Sequence, residues 1–271
     1  LLAPYMPAIF KNVKPSWKKI LFSPKIKPVL DKCFKALDLD LINKGVTAER
    51  LAENGFHHYI RPAPEEILAA FTLFDAHNLR GICLGKDPFP DKKDAHGLCF
   101  SSKNQKTPAS LVKIFGALRS RGILRTDPVT NDLTGWGKQG ILLLNYYLTR
   151  TPNIVKSITH TGGVMSISSS IEGNGGTNKA CLHPFWGEFT DTLLEFLSSA
   201  YYPEILRAQR RNIFVMLWGE DAQKVQKHII TGTGHYGFKV LTWGHPSPLN
   251  TANQNASDPK NFINCDHFNR V

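Results

Sequence analysis

An aspartate stands inside a Pro- and Phe-rich turn, Gly85-Lys-Asp-Pro-Phe-Pro90, directly after the apolar run Gly81-Ile-Cys-Leu84. Asn145 closes a second apolar run, Ile141–Leu144, and His245 opens the stretch His245-Pro-Ser-Pro-Leu249 after another, Phe238–Trp243. A carboxylate, a carboxamide and an imidazole are groups that hold water, move protons and read hydrogen-bond patterns. Singly, each has a plain structural reading: an Asp before Pro forms turns, an Asn after a strand caps one, and a solitary His is usually part of the packing. Their shared position sets them apart. Each follows a short apolar run, and if those runs are parallel strands of one sheet, the three side chains meet at its carboxyl edge, where ligands bind.

The elements that would position them can be read from the pattern. Four apolar runs, Leu79–Leu84, Ile141–Leu144, Asn212–Trp218 and Phe238–Trp243, suit strands buried on both faces. Helical stretches are expected at Val29–Asp38, Glu65–Ala76, Ser110–Arg119, Phe185–Leu197 and Asp221–Ile230, and Leu206–Arg211 could extend a helix. Pro64-Glu-Glu suits a helix start, with Pro in the first turn and acids near the positive end. Strands alternating with helices predict an α/β protein whose parallel sheet is covered on both faces. Lys11–Pro28, rich in Lys and Pro, reads as an irregular approach, which makes residues 1–28 an N-terminal segment and residues 29–271 a single domain. Between Thr159 and Lys179 the chain is dominated by Gly, Ser, Thr and Asn, and reads as a surface insertion too poor in apolar surface to order itself.

With 271 residues and 42% hydrophobic content the chain can bury one sizeable core. Its net charge of +11 favours a polyanionic partner. Five scattered cysteines without a C-x-x-C pair argue against a zinc or iron–sulfur site and suit the reduced thiols of an intracellular protein. No apolar stretch approaches the roughly 20 residues of a membrane span. The apolar start, Leu1–Phe10, reads as a processed or cut end rather than a signal.

Four ordered motifs carry a family resemblance. Gly85-Lys-Asp-Pro-Phe-Pro90 resembles the GQDPYH motif of the uracil-DNA glycosylases of the first, uracil-specific group. That family's AHGL-x-FS stands intact at Ala95–Ser101, its LLLN at Leu142–Asn145 and its HPSPL at His245–Leu249. Flanking similarities run from Ser16–Leu21 through Trp136 and Phe189-Thr-Asp191 to Cys265-x-His267-Phe268, nearly the whole chain. Lys86, Phe89 and Pro90 depart from the usual Gln, Tyr and His, so the chain is identified as a divergent member.

The resemblance implies an α/β/α sandwich around a central four-stranded parallel sheet, and hydrolysis of the bond between uracil and deoxyribose. By carry-over, Asp87 holds the attacking water and stabilises the sugar cation, while His245, as a neutral donor, stabilises charge on uracil O2 with the backbone amides of Lys86 and Asp87. Asn145 reads the uracil edge, Phe100 stacks on the flipped ring, and Phe89 fills the space a thymine methyl would take. Lys86 adds a cation near the phosphates. Ser110 and Ser247 contact phosphate and Leu249 wedges into the vacated stack, although Ser110 also suits a plain helix N-cap. The implied partner is uracil-containing DNA, single- or double-stranded, engaged by a monomer with no cofactor and no metal. A second reading stays open: a non-catalytic DNA-binding or replication accessory module on the same fold.

Overall fold

A computed structural model describes residues 1–126, 128–152, 154–161, 164–171, 181–202, 210–231, 236–255 and 257–270. Among them are strands β1 (Gly81–Gly85), β2 (Ile141–Asn145), β3 (Ile154–Thr161), β4 (Val164–Ile171), β5 (Asn212–Trp218) and β6 (Gly237–Trp243). The main sheet has the order β2-β1-β5-β6, every neighbouring pair parallel. All five residues of β1 are buried. Successive side chains of a strand point to opposite faces, so this central strand is covered on both, as its unbroken apolar run requires. The helices that surround the sheet include α1 (Met6–Phe10), α2 (Pro15–Leu21), α3 (Lys27–Asn43), α4 (Ala48–Asn54), α5 (Ala109–Ser120), α6 (Thr134–Lys138) and α7 (Trp186–Phe196).

Register aligns the strand ends. Gly85 lies opposite Asn145, Leu84 opposite Leu217, and Trp218 opposite Trp243. The segments after β1, β5 and β6, and Asn145 at the end of β2, therefore emerge at one edge.

The stretch expected as an irregular approach is part of the core. Pro15 occupies the first helical position of α2, and Trp17, Ile20 and Leu21, spaced i, i+3, i+4, are all buried in the same cluster as the sheet. The helix expected over Glu65–Ala76 is instead three separate 3-10 turns, Pro64–Glu66, Ala69–Phe71 and Ala76–Asn78. Two carbonyls show why: Phe71 accepts from the Lys14 amide at 3.1 Å, and Phe74 accepts from Trp17 Nε1 at 3.0 Å. Packing against α2 draws those acceptors out of a helical ladder.

The expected insertion also differs. Its first part belongs to an antiparallel ribbon of β3 and β4, paired from Ile154↔Ile171 to Thr161↔Val164. The Gly and Ser content masked a run of β-branched Ile, Val and Thr, whose stiff side chains favour extended backbone. Residues 162–163 and 172–179 of that expectation, and most of the Leu206–Arg211 helix extension, lie outside the described residues. All five cysteines are free and buried. Among the described residues no helix is long and apolar enough to cross a membrane, and no cluster of His, Cys, Asp or Glu could hold a metal ion.

Candidate active site

The carboxyl edge of the sheet opens into a cavity of about 730 Å³, and all nine residues singled out in the sequence line it: Lys86, Asp87, Phe89, Phe100, Ser110, Asn145, His245, Ser247 and Leu249. Asp87 sits in the turn after β1 with its side chain 9% exposed. Burial raises its carboxyl pKa from the ordinary value, against the opposing pull of Arg150 and Lys86. Arg150, five residues beyond Asn145 and only 2% exposed, donates from Nη1 to Asp87 Oδ2 at 2.8 Å. Nothing in the motifs pointed to this arginine. A cation in the otherwise uncharged Leu148-Thr149-Arg150-Thr151 was the only trace it left.

Asn145 is 4% exposed, and its carboxamide has no hydrogen-bond partner among the described residues. Its close approach to β1 depends on Gly85: a Cβ there would come within 2.6 Å of Asn145 Oδ1 and equally close to Cys99 Cβ. The amide thus brings one donor face and one acceptor to the cavity wall.

His245 accepts from the Ser247 backbone N–H at Nδ1, 3.0 Å away. In a neutral imidazole that bond places the proton on Nε2, which becomes a donor. Burial holds the imidazole below its ordinary pKa, and nearby Lys86 adds to the effect. Gly219, at φ +89°, makes room for the ring: a Cβ there would approach His245 Cβ to 2.8 Å. The loop carrying His245 is tied from below. Asn253, buried, donates to the carbonyls of His245 and Ser247, both at 2.8 Å, and Asn250 donates to the His245 carbonyl at 3.1 Å. These two asparagines were missed because loop-tying amides have no spacing rule.

Phe100 holds an unusual backbone, φ +60°, a conformation that bulky side chains rarely adopt. Its ring lies against Trp218 (centroids 5.5 Å) and His245 (6.0 Å) at the cavity wall. Phe89, half-buried, is also on the cavity lining. At the rim, Leu249 is 80% exposed, and its backbone N–H donates to Ser247 Oγ at 3.2 Å. Ser110 is the second residue of α5. Its N-cap reading is not met, because Pro108 takes that position and no side chain caps the helix. The loop before α5 is anchored by Asn131, which donates to the carbonyls of Asn104 and Gln105 and accepts from Thr107.

Lys86, expected as a cation near phosphate, is paired with an acid of this chain. Its Nζ lies 2.7 Å from Asp221 Oδ2, and Lys224 binds the other oxygen at 2.7 Å. These two lysines hold the Asp221 carboxyl down at about 2. A cation already paired releases few counterions on binding DNA. Lys86→Ala is therefore expected to change the slope of log affinity against log salt by less than half of the roughly 0.9 that one phosphate contact contributes. Fluorescence anisotropy with a uracil-free duplex over a salt series measures this. A slope reduced by a full contact would put Lys86 on the phosphates.

The comparisons agree with the motifs. Residues 71–270 match the uracil DNA glycosylase superfamily. Uracil-DNA glycosylase of Histophilus somni strain 2336 is 32% identical over 213 residues, 78% of this chain and 76% of that protein. The Amoebophilus asiaticus strain 5a2 enzyme of the same name is 30% identical over 261 residues, 96% of this chain and 92% of that one. The fold is shared with the crystal structure of mimivirus uracil-DNA glycosylase, at a TM-score of 0.59 and 21% identity over 98% of this chain and 87% of that chain. A match that spans the sheet, the turns at its carboxyl edge and the cavity between them has one meaning: the chain belongs to the uracil-DNA glycosylase superfamily.

Proposed function

We propose that this chain removes uracil from DNA by hydrolysing its N-glycosidic bond, leaving an abasic site, with Asp87, Asn145, Phe100 and His245 as the residues that touch the nucleotide. The carrying observation is that a carboxylate, an Nε2–H donor, an unpartnered carboxamide and an aromatic face line one cavity at the carboxyl edge of the sheet.

A base stacked in a duplex is out of reach, so the nucleotide must swing into the cavity at a cost of a few kcal/mol. Bond cleavage then proceeds with positive charge developing on the sugar and negative charge on the departing base. Asp87 meets the first need: its Oδ1, with no protein partner among the described residues, holds the attacking water, takes up its proton and lowers the energy of the sugar cation. His245 meets the second by donating from Nε2 to uracil O2, a donor whose position is fixed before the reaction begins. Asn145 accepts from uracil N3–H and donates to O4, a pattern cytosine cannot match. Phe100 offers the ring on which the base stacks, and Phe89 stands where thymine would carry its methyl.

Ser110 and Ser247 hold phosphates flanking the flipped nucleotide, and Leu249 fills the gap in the stack. The partner in this reading is uracil-containing DNA, acted on by a single copy of the chain inside the cell. Incubation with matched oligonucleotides carrying uracil, cytosine or thymine at one position, followed by alkali, tests the reading. Alkali-labile breaks are expected at uracil alone. Absence of breaks at uracil, with DNA binding retained, would favour an accessory role instead.

Leu249 gives a graded prediction. Its exposed side chain can occupy a vacated stack and takes no part in bond cleavage. In Leu249→Ala the single-turnover rate is expected to fall most for uracil opposite adenine, less opposite guanine and least in single strands, following the effort of extrusion. Equal losses on the three substrates would assign Leu249 to the shape of the pocket.

A further inference from the structure

Arg150 lines the cavity and is used by no step above. We propose that Arg150 is the positioning residue for Asp87, holding Oδ2 so that Oδ1 faces the attacking water and keeping the carboxylate ionised in a nearly closed site. The inference rests on the hydrolase reading and adds to it a residue outside the four motifs.

A carboxylate withdrawn from water takes up a proton unless a cation or several donors replace its hydration. Asp87 is 9% exposed, and the Arg150 guanidinium stands 2.8 Å from it. The guanidinium is held independently of Asp87. Arg150 and Arg61 exchange backbone hydrogen bonds in both directions, at 2.8 and 3.0 Å, and Arg150 Nε donates to the Thr151 carbonyl at 3.2 Å. The preceding Thr149 hydroxyl accepts from Trp186 Nε1 and shares a hydrogen bond with His183 Nδ1, both at 2.7 Å. The arginine is thus a fixed post against which the carboxylate is set, rather than a mobile side chain that finds it.

The far end of the turn is pinned as well. Arg61, buried, donates from Nε to the Pro90 carbonyl at 3.2 Å. Pro90 has no N–H and no polar side chain, so this end of the turn offers the carboxylate and its water no donor. Other charges near Asp87 do not replace Arg150. Lys86, in the same turn, is paired with Asp221 from the segment after β5, and those two pull in opposite directions. His245, from the segment after β6, lies on the same cavity with its pKa held low, and Asp91 lies with Arg61 at the end of the turn. Arg150 remains the buried cation in direct contact.

The test compares wild type, Arg150→Gln and Arg150→Lys by single-turnover uracil release between pH 5 and 9. The Asp87 carboxyl is also titrated by ¹³C NMR, its signal assigned by loss in Asp87→Asn. For Arg150→Gln the rate at pH 6 is expected to fall on the order of 10-fold or more. The acid limb and the Asp87 titration should both move up by about one pH unit or more, so that the deficit shrinks as pH rises. Arg150→Lys should recover much of both. A loss of equal size at every pH, or an unmoved carboxyl titration, would make Arg150 a purely structural residue and overturn the proposal. So would an increased rate in Arg150→Gln, which would make the contact a restraint. If Arg150→Gln does not fold, wild type decides alone: an Asp87 still protonated at neutral pH contradicts the role. A wild type that binds DNA and releases no uracil defeats the hydrolase reading, and the carboxyl titration still judges the ion pair.

Discussion

Asp87→Asn is expected to slow uracil release in single turnovers on the order of 10²-fold or more while leaving affinity for uracil-containing DNA within a few-fold. The substitution keeps the size of the side chain and an oxygen that can accept from Arg150, so the turn after β1 should stay in place. What disappears is the negative charge. An amide neither takes a proton from water nor offsets the positive charge that builds on the sugar, the two functions proposed for this group. Thermal unfolding followed by circular dichroism separates a chemical defect from a folding one. A rate within a few-fold of wild type would remove Asp87 from the centre of the reaction. The same group sets a pH expectation. Burial raises the Asp87 pKa, so the ionised form is full above the raised value and is lost as pH falls through it, at a higher pH than for an exposed carboxylate. His245 protonates in the same direction, but its lowered pKa keeps it neutral to more acidic pH than an exposed imidazole.

His245→Ala is the second large effect. Removing one preorganised donor to a developing oxyanion costs roughly 10²- to 10³-fold in rate in enzymes that use one, and a loss in that range is expected here. The histidine is well prepared for the role: the Ser247 N–H fixes the tautomer, and the Asn250 and Asn253 amides hold its carbonyl. Single-turnover rates on single-stranded uracil DNA, where extrusion contributes least, isolate the chemical step. A loss confined to duplex substrates would instead assign His245 to DNA engagement. Asn253→Ala, which loosens the loop from a distance, should lie between wild type and His245→Ala in the same assay.

How much of this was legible in the sequence follows from what each feature depends on. Strands β1 and β2 were readable because a buried strand writes itself as a continuous apolar run, as Ile82–Leu84 and Leu142–Leu144 do, whereas the edge strand β6, expected to be buried on both faces, buries only Phe238 and Leu241. The cavity residues were readable for a related reason: in a parallel sheet the ends of such runs share an edge, so Asp87, Asn145 and His245 could be brought together without knowing strand order. Elements whose geometry is set by distant partners were not readable. The stretch from Pro64 to Asn78 has a helix's composition, yet it surrenders carbonyls to Lys14 and Trp17, whose approach no local pattern announces. Trp17, Ile20 and Leu21 had a helical spacing that the surrounding Lys and Pro obscured. Lys86 and Arg150 show the same limit in the site. A cation's role depends on which acid it meets, and Lys86 meets Asp221 from another strand end while Arg150 meets Asp87.

The most direct measurement of the central claim is the stoichiometry of the products. Wild type and Asp87→Asn are incubated with a duplex carrying a single uracil, free base is quantified by mass spectrometry, and the strand is analysed before and after alkali. Hydrolysis at the glycosidic bond predicts one free uracil for each abasic site, a strand that stays whole until alkali is added, and a yield from Asp87→Asn lower on the order of 10²-fold at early times. An unaltered strand with no free uracil, from wild-type protein that demonstrably binds the duplex, would contradict the claim.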